Sequence, residues 1–162
     1  MDHVVVPPGD GKSFWFGGQG AIFKVPGADT GGSFAIIEHP TDPGRLVPPH
    51  VHTREDELSY VVEGEFGVRV GDQVFNAATG AYIYKPRGIP HTFWNAGTTP
   101  ARLIEIIWPA GFEKFFEELA ELYRGAPDPG QITALAERYG CSYSMDWVPE
   151  LTAKYNLKLL GQ

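Results

Sequence analysis

A single cysteine, Cys141, stands among 162 residues, which excludes an internal disulfide. Nothing else in the composition points to an oxidising compartment. No stretch approaches the roughly 20 consecutive apolar residues that a membrane helix needs. Basic residues are outnumbered: 13 Lys and Arg face 20 Asp and Glu, for a net charge of −7. A surface of that sign repels phosphate backbones and argues against a general nucleic-acid binder. The opening "MDHVVVPPGDGK" has neither the basic start nor the long apolar stretch of a secretory signal. The expected setting is therefore the cytoplasm, with neither membrane nor nucleic acid as partner. Internal repeats and low-complexity segments are also missing.

What is present suits one domain with a terminal extension. Hydrophobic residues make up 43% of the chain, enough for a core, while 20 Gly and 14 Pro are scattered along it. From residue 1 to 109 the pattern is that of short strands. Runs such as "AIFKV", "SFAIIEH", "LSYVVEG", "FGVRV", "AYIYKP", "HTFWN" and "ARLIEIIW" alternate with turn signals such as "GADTGG", "TDPG", "VGDQ" and "PRGIP". Many short strands at this spacing indicate an all-β sandwich or barrel. Near Pro109 the period becomes helical: Phe112, Phe115, Phe116, Leu119 and Tyr123 fall on one stripe. A second helix is expected from the Asp128 cap and Pro129 to Gly140, and a third around Pro149–Tyr155. Residues 110–162 thus read as a helical C-terminal tail, packed on the barrel or on a partner.

The chemistry concentrates in "HVHTREDE". In an extended strand alternate side chains share a face, so His50 and His52 point the same way and can grip one ion when both rings are neutral. Glu57, at the start of the next strand, is placed to add a carboxylate oxygen, with Asp56 as the rival. His91 waits behind the Pro- and Gly-rich turn "KPRGIPH". His3 and His39 lack partner spacing and read as ordinary, and Cys141 reads as packing because no neighbouring His would activate it.

Two longer patterns resemble the signature motifs of the cupin superfamily. G-x5-H-x-H-x4-E-x6-G is met by Gly44, His50, His52, Glu57 and Gly64; G-x5-P-x-G-x2-H-x3-N is met by Gly80, Pro86, Gly88, His91 and Asn95. The resemblance implies a double-stranded β-helix, or jelly roll, with a short helical C-terminal extension. It also implies that His50, His52, Glu57 and His91 converge inside the barrel on one divalent metal. Those ligands suit Fe, Mn, Ni, Cu or Zn and leave positions for water or substrate. Asn95 is expected to satisfy backbone groups rather than the metal.

Aromatic side chains crowd the motif strands, and Phe93, Ser59, Tyr82 and Tyr84 are expected to line a substrate pocket. Arg54, Arg69, Lys85 and Arg87 are expected to leave that pocket short of cations, which disfavours anionic substrates. The barrel followed by "WPAGFEKFF" and "RYG" is similar to bacterial cupins described as quercetin-dioxygenase-like. That likeness implies a metal-dependent dioxygenase acting with O2 on a flavonol-like or other aromatic or enolic molecule, with Glu57 as general base. The alternatives are a non-catalytic small-molecule or metal binder and a metal-dependent isomerase or decarboxylase. A homodimer is the expected assembly.

Overall fold

Short β-branched and aromatic runs pair into two sheets in the computed structural model, which describes residues 5–162; His3 lies outside the described residues. The first half of the chain supplies β1 (Lys12–Phe16), β2 (Gln19–Val25), β3 (Ala35–Thr41), β4 (Arg45–Leu46), β5 (His50–His52), β6 (Asp56–Glu63) and β7 (Glu65–Val70). The second supplies β8 (Gln73–Ala78), β9 (Tyr82–Lys85), β10 (His91–Asn95), β11 (Ala101–Trp108), β12 (Cys141–Tyr143) and β13 (Lys158–Leu159).

One sheet runs β1-β2-β3-β11-β6-β9. The other centres on β10, with β7 and β8 to one side and the short strands β4 and β5 to the other. From β5 to β11 the chain crosses between the sheets at every step but β7 to β8, as a jelly roll requires. Period-2 alternation turns Glu57, Ser59 and Val61 of β6 inward and leaves Leu58, Tyr60 and Val62 half-buried on the outer face. Inner-face residues Ile37, Leu103 and Ile107 of one sheet and Phe66, Val68 and Phe93 of the other are buried. Each fully buried aliphatic or aromatic side chain stabilises the fold by roughly 1.5–3 kcal/mol.

The tail carries the three expected helices: α1 (Glu113–Leu122), α2 (Pro129–Arg138) and α3 (Val148–Tyr155). Phe112, Phe115 and Leu119 join Phe16, Ile37 and Ile107 in one cluster, so α1 closes an end of the barrel. Asp128 caps α2 by accepting from the Gln131 N–H (3.3 Å), and Gly140 leaves it at φ +71. The tail is not only helical. It also returns to the sheet: β12 pairs with β5, and β13 lies parallel to β4. β12 and β13, of three and two residues, carry no apolar alternation that would mark them as strands, and only their distant partners define them. Around α3, Leu151 and Leu157 bury the outer side of Trp94, whose ring also meets Tyr155 at 4.9 Å. Gly67 permits this, since a Cβ there would sit 2.1 Å from the Trp94 ring.

Candidate metal centre

Two sheets meet at the four motif residues. On β5, His50 and His52 share a face, and His91 of β10 lies directly opposite His50 in the antiparallel register. The turn before His91 is fixed by Gly88, whose φ of +77 excludes most side chains. Its N–H donates to the His52 carbonyl at 2.8 Å, tying the hairpin to β5. Glu57 arrives from β6 on the facing sheet. One ligand atom from each of His50, His52, Glu57 and His91 lies within 4.8 Å of all the others.

Each ring is aimed by its back side. His50 Nδ1–H donates to the Pro48 carbonyl (2.7 Å) and His91 Nδ1–H to the Ile89 carbonyl (3.1 Å), which leaves the Nε2 lone pairs pointing forward. His52 Nδ1 faces Glu55 Oε2 at 3.6 Å, and its ring abuts Phe112 at 4.3 Å. In front, His52 Nε2 lies 3.3 Å and His91 Nε2 3.1 Å from the Glu57 oxygens. Yet both nitrogens are buried without an aligned hydrogen bond among the described residues. Buried polar atoms normally find partners, so convergence of these lone pairs on one point fits a bound cation. Three imidazole nitrogens and a carboxylate oxygen are a donor set for a divalent transition ion.

The electrostatics keep His50, His91 and Glu57 in their ligand form. Burial, reinforced by the neighbouring His91 and His52, holds His50 well below its ordinary pKa, and burial likewise lowers His91 against the pull of Glu57. Burial pushes the Glu57 carboxyl upward, but Lys85, then His52 and His91, outweigh it and hold it well below the usual range. Neutral rings and an ionised carboxylate are what metal binding requires.

Lys85 overturns the expectation of a cation-poor pocket. It is 1% exposed, and its Nζ lies 3.0 Å from Glu57 Oε2 and 2.7 Å from Glu105 Oε2. Burial alone would lower its pKa; the two carboxylates raise it instead. Burial lifts Glu105 to about 7 against the attraction of Lys85. The signal was present in "YIYK", where Lys85 shares the inward face with Ile83. The same alternation corrects two pocket residues: Tyr82 and Tyr84 are 70% and 55% exposed on the outer face. There Tyr82 meets Tyr60 at 4.7 Å and Tyr84 stacks on Trp108 at 6.2 Å. Ser59 does face inward, but its hydroxyl donates to Glu105 Oε1 (3.0 Å) and it is not on the cavity wall.

Asp56 points outward and accepts from the Arg87 backbone N–H (2.8 Å) and guanidinium (2.6 Å), so it is no rival to Glu57. Arg69 lies over the Trp147 ring, also outside. Asn95 spends its amide on the backbone, donating to Thr41 and Thr99 carbonyls (3.0 and 2.9 Å) and accepting from Gly97 N–H (2.9 Å). Burial drives the Cys141 thiol far above its normal pKa, so it is packing, not a nucleophile.

A cavity of about 940 Å³ opens onto the centre. His50, Glu57, Lys85, Glu105 and Phe93 form part of its wall, and Phe16, Phe112, Phe115, Phe116 and Leu119 make much of the rest apolar. Among the described residues, no helix is long and apolar enough to cross a membrane.

Residues 41–107 match the family model described as Cupin domain. Germin-like protein subfamily 2 member 2 of Arabidopsis thaliana is 37% identical over 89 residues, spanning 51% of this chain and 40% of that protein. Quercetin 2,3-dioxygenase of Bacillus subtilis is 29% identical over 85 residues, 52% of this chain and 25% of that protein. The chain thus spans well under two thirds of the curated relatives it matches. An RmlC-like cupin of Shewanella frigidimarina superposes with a TM-score of 0.57 at 22% identity, over 67% of this chain and 93% of that one. Jelly-roll topology, motif spacing and family match agree on a cupin-type fold, and residues 41–107 match the Cupin domain model.

Proposed function

We propose that the chain is a metal-dependent dioxygenase for a flavonol-like or other aromatic or enolic small molecule. The carrying observation is an aromatic-walled cavity of about 940 Å³ that opens onto His50 and Glu57. A flat apolar ligand gains from such walls, while its oxygen reaches the polar end. The likeness to a bacterial quercetin 2,3-dioxygenase supports the same reading.

His50, His52, Glu57 and His91 would hold the ion. When bound, a divalent ion supplies Lewis acidity toward a ligand hydroxyl and electronic coupling between ligand and O2. Glu57, kept ionised, is the group placed to take the ligand's hydroxyl proton. Lys85 bridges Glu57 to Glu105 through contacts of 3.0 and 2.7 Å and holds the Glu57 carboxylate in place. Phe112, set against the His52 ring, keeps bulk water from that side of the centre.

The inward Lys85 would favour an anionic substrate, and with it an isomerase or decarboxylase, if its charge were free. Bracketed by two carboxylates, it is not. Arg45, at the cavity mouth, donates to the Gln162 carbonyl. The expected result is O2 uptake with flavonols such as quercetin, abolished by His52→Ala. Product formed without O2 consumption would assign an isomerase or decarboxylase; flavonol binding without turnover, surviving chelation, would assign a binding protein.

A further inference from the structure

Among the described residues the cavity wall carries a histidine that the metal centre does not use. His39 is on the inner face of β3 and is 2% exposed. Its Nδ1–H donates to the Gly20 carbonyl at 2.8 Å, which fixes the tautomer and leaves the lone pair on Nε2. No group among the described residues bonds that nitrogen, and His39 lines the cavity that also reaches His50 and Glu57. The ring cannot easily turn away, because Phe116 meets it edge-on at 5.0 Å. Burial drops its pKa to about 4, so it stays an acceptor at neutral pH. Nε2 is not among the buried atoms left without a partner, so it is open to the cavity, where a water or a ligand hydroxyl can donate to it. Neighbouring Gln19 is already engaged, its amide donating to Thr41 Oγ1 at 3.3 Å.

We infer that His39 Nε2 is a second polar station of the cavity, accepting a hydrogen bond from a ligand hydroxyl other than the one at the metal centre. The ligand class is then an aromatic with at least two hydroxyl groups. This rests on the reading of the cavity as a chamber for hydroxylated aromatic ligands, and it adds a residue that selects among them. A buried acceptor discriminates strongly, since an analogue lacking the hydroxyl leaves it unpaired.

Calorimetric titration of the metal-loaded protein with quercetin and with 3-hydroxyflavone tests this directly. Both carry the 3-hydroxyl and 4-keto oxygens, and only quercetin has further hydroxyls. The wild type is expected to prefer quercetin by about tenfold, the worth of one well-made hydrogen bond. His39→Leu is expected to bring the ratio close to one, and His39→Gln, whose amide oxygen can accept, to restore part of it. A purely structural role for His39 would weaken both ligands alike and leave the ratio at its wild-type value, which overturns the inference. Should His39→Leu not fold, an unchanged ratio in His39→Gln together with no quercetin preference in the wild type overturns it equally. Binding of neither flavonol to the wild type overturns the flavonol reading itself, and this station with it.

Discussion

Lys85 and Glu57 face each other across β9 and β6, with Nζ 3.0 Å from Oε2, and Glu105 closes the other side of the ammonium at 2.7 Å. A buried charge is tolerated here because every member has a partner. Lys85→Met would leave two carboxylates facing each other in the core, at a cost of about 3–5 kcal/mol. Adding Glu105→Gln removes the second buried charge and should recover part of the loss. Urea denaturation of the metal-free proteins checks this, since bound metal would otherwise mask the change. A loss below about 1 kcal/mol in Lys85→Met would contradict the assigned burial.

The two adjacent carboxylates of β6 should separate cleanly. Glu57→Gln removes a ligand and should lower metal content several-fold at limiting metal. Asp56→Asn breaks only an ion pair with the half-exposed Arg87, worth roughly 0–1 kcal/mol, and should leave metal content as it was. Elemental analysis of the two variants side by side decides between them.

His39 should report acid unfolding. Its folded pKa of about 4 lies below the ordinary 6.5, so the unfolded chain binds the extra proton first as pH falls. Stability from this group is therefore full above about 6.5 and lost down to about 4, up to roughly 3 kcal/mol. Glu105 acts in the opposite sense, because its pKa is raised to about 7, and it gains stability over much of the same window. The clean observable is the difference between wild type and His39→Gln: the variant should lose less stability between pH 6.5 and 4. Equal losses would remove His39 from the explanation.

Phe112 joins the tail to the centre, with its ring 4.3 Å from that of His52 and 4.9 Å from that of Phe115. Phe112→Ala should cost about 3–5 kcal/mol as a large-to-small change in a packed cluster. It should also loosen His52 and weaken metal retention against a chelator. Thermal melting and competitive chelation measure the two effects separately.

The histidine positions were legible because metal ligation imposes spacing on the chain: His50, His52, Glu57 and His91 all fall where strand alternation and one turn place them. The strands of the barrel and the three helices were legible for the same reason, a period of 2 changing to 3.6 near Pro109. Lys85 and Glu105 were harder to read, since a lone charge in a strand usually marks the solvent face. Only the register of β9 against β6 and β6 against β11 shows the three charges meeting. Tyr82 and Tyr84 misled because aromatic richness does not say which face a residue takes. β12 and β13 stayed hidden because their partners, β5 and β4, lie far away in the chain.

The most direct test is the metal content of protein purified without chelator, measured for the wild type and for His91→Ala. The wild type should carry about one divalent transition ion per chain, and the variant far less while remaining folded. A wild type that holds no ion and takes none up on titration with divalent metals, or a His91→Ala protein that retains the full amount, would contradict a shared centre at His50, His52, Glu57 and His91.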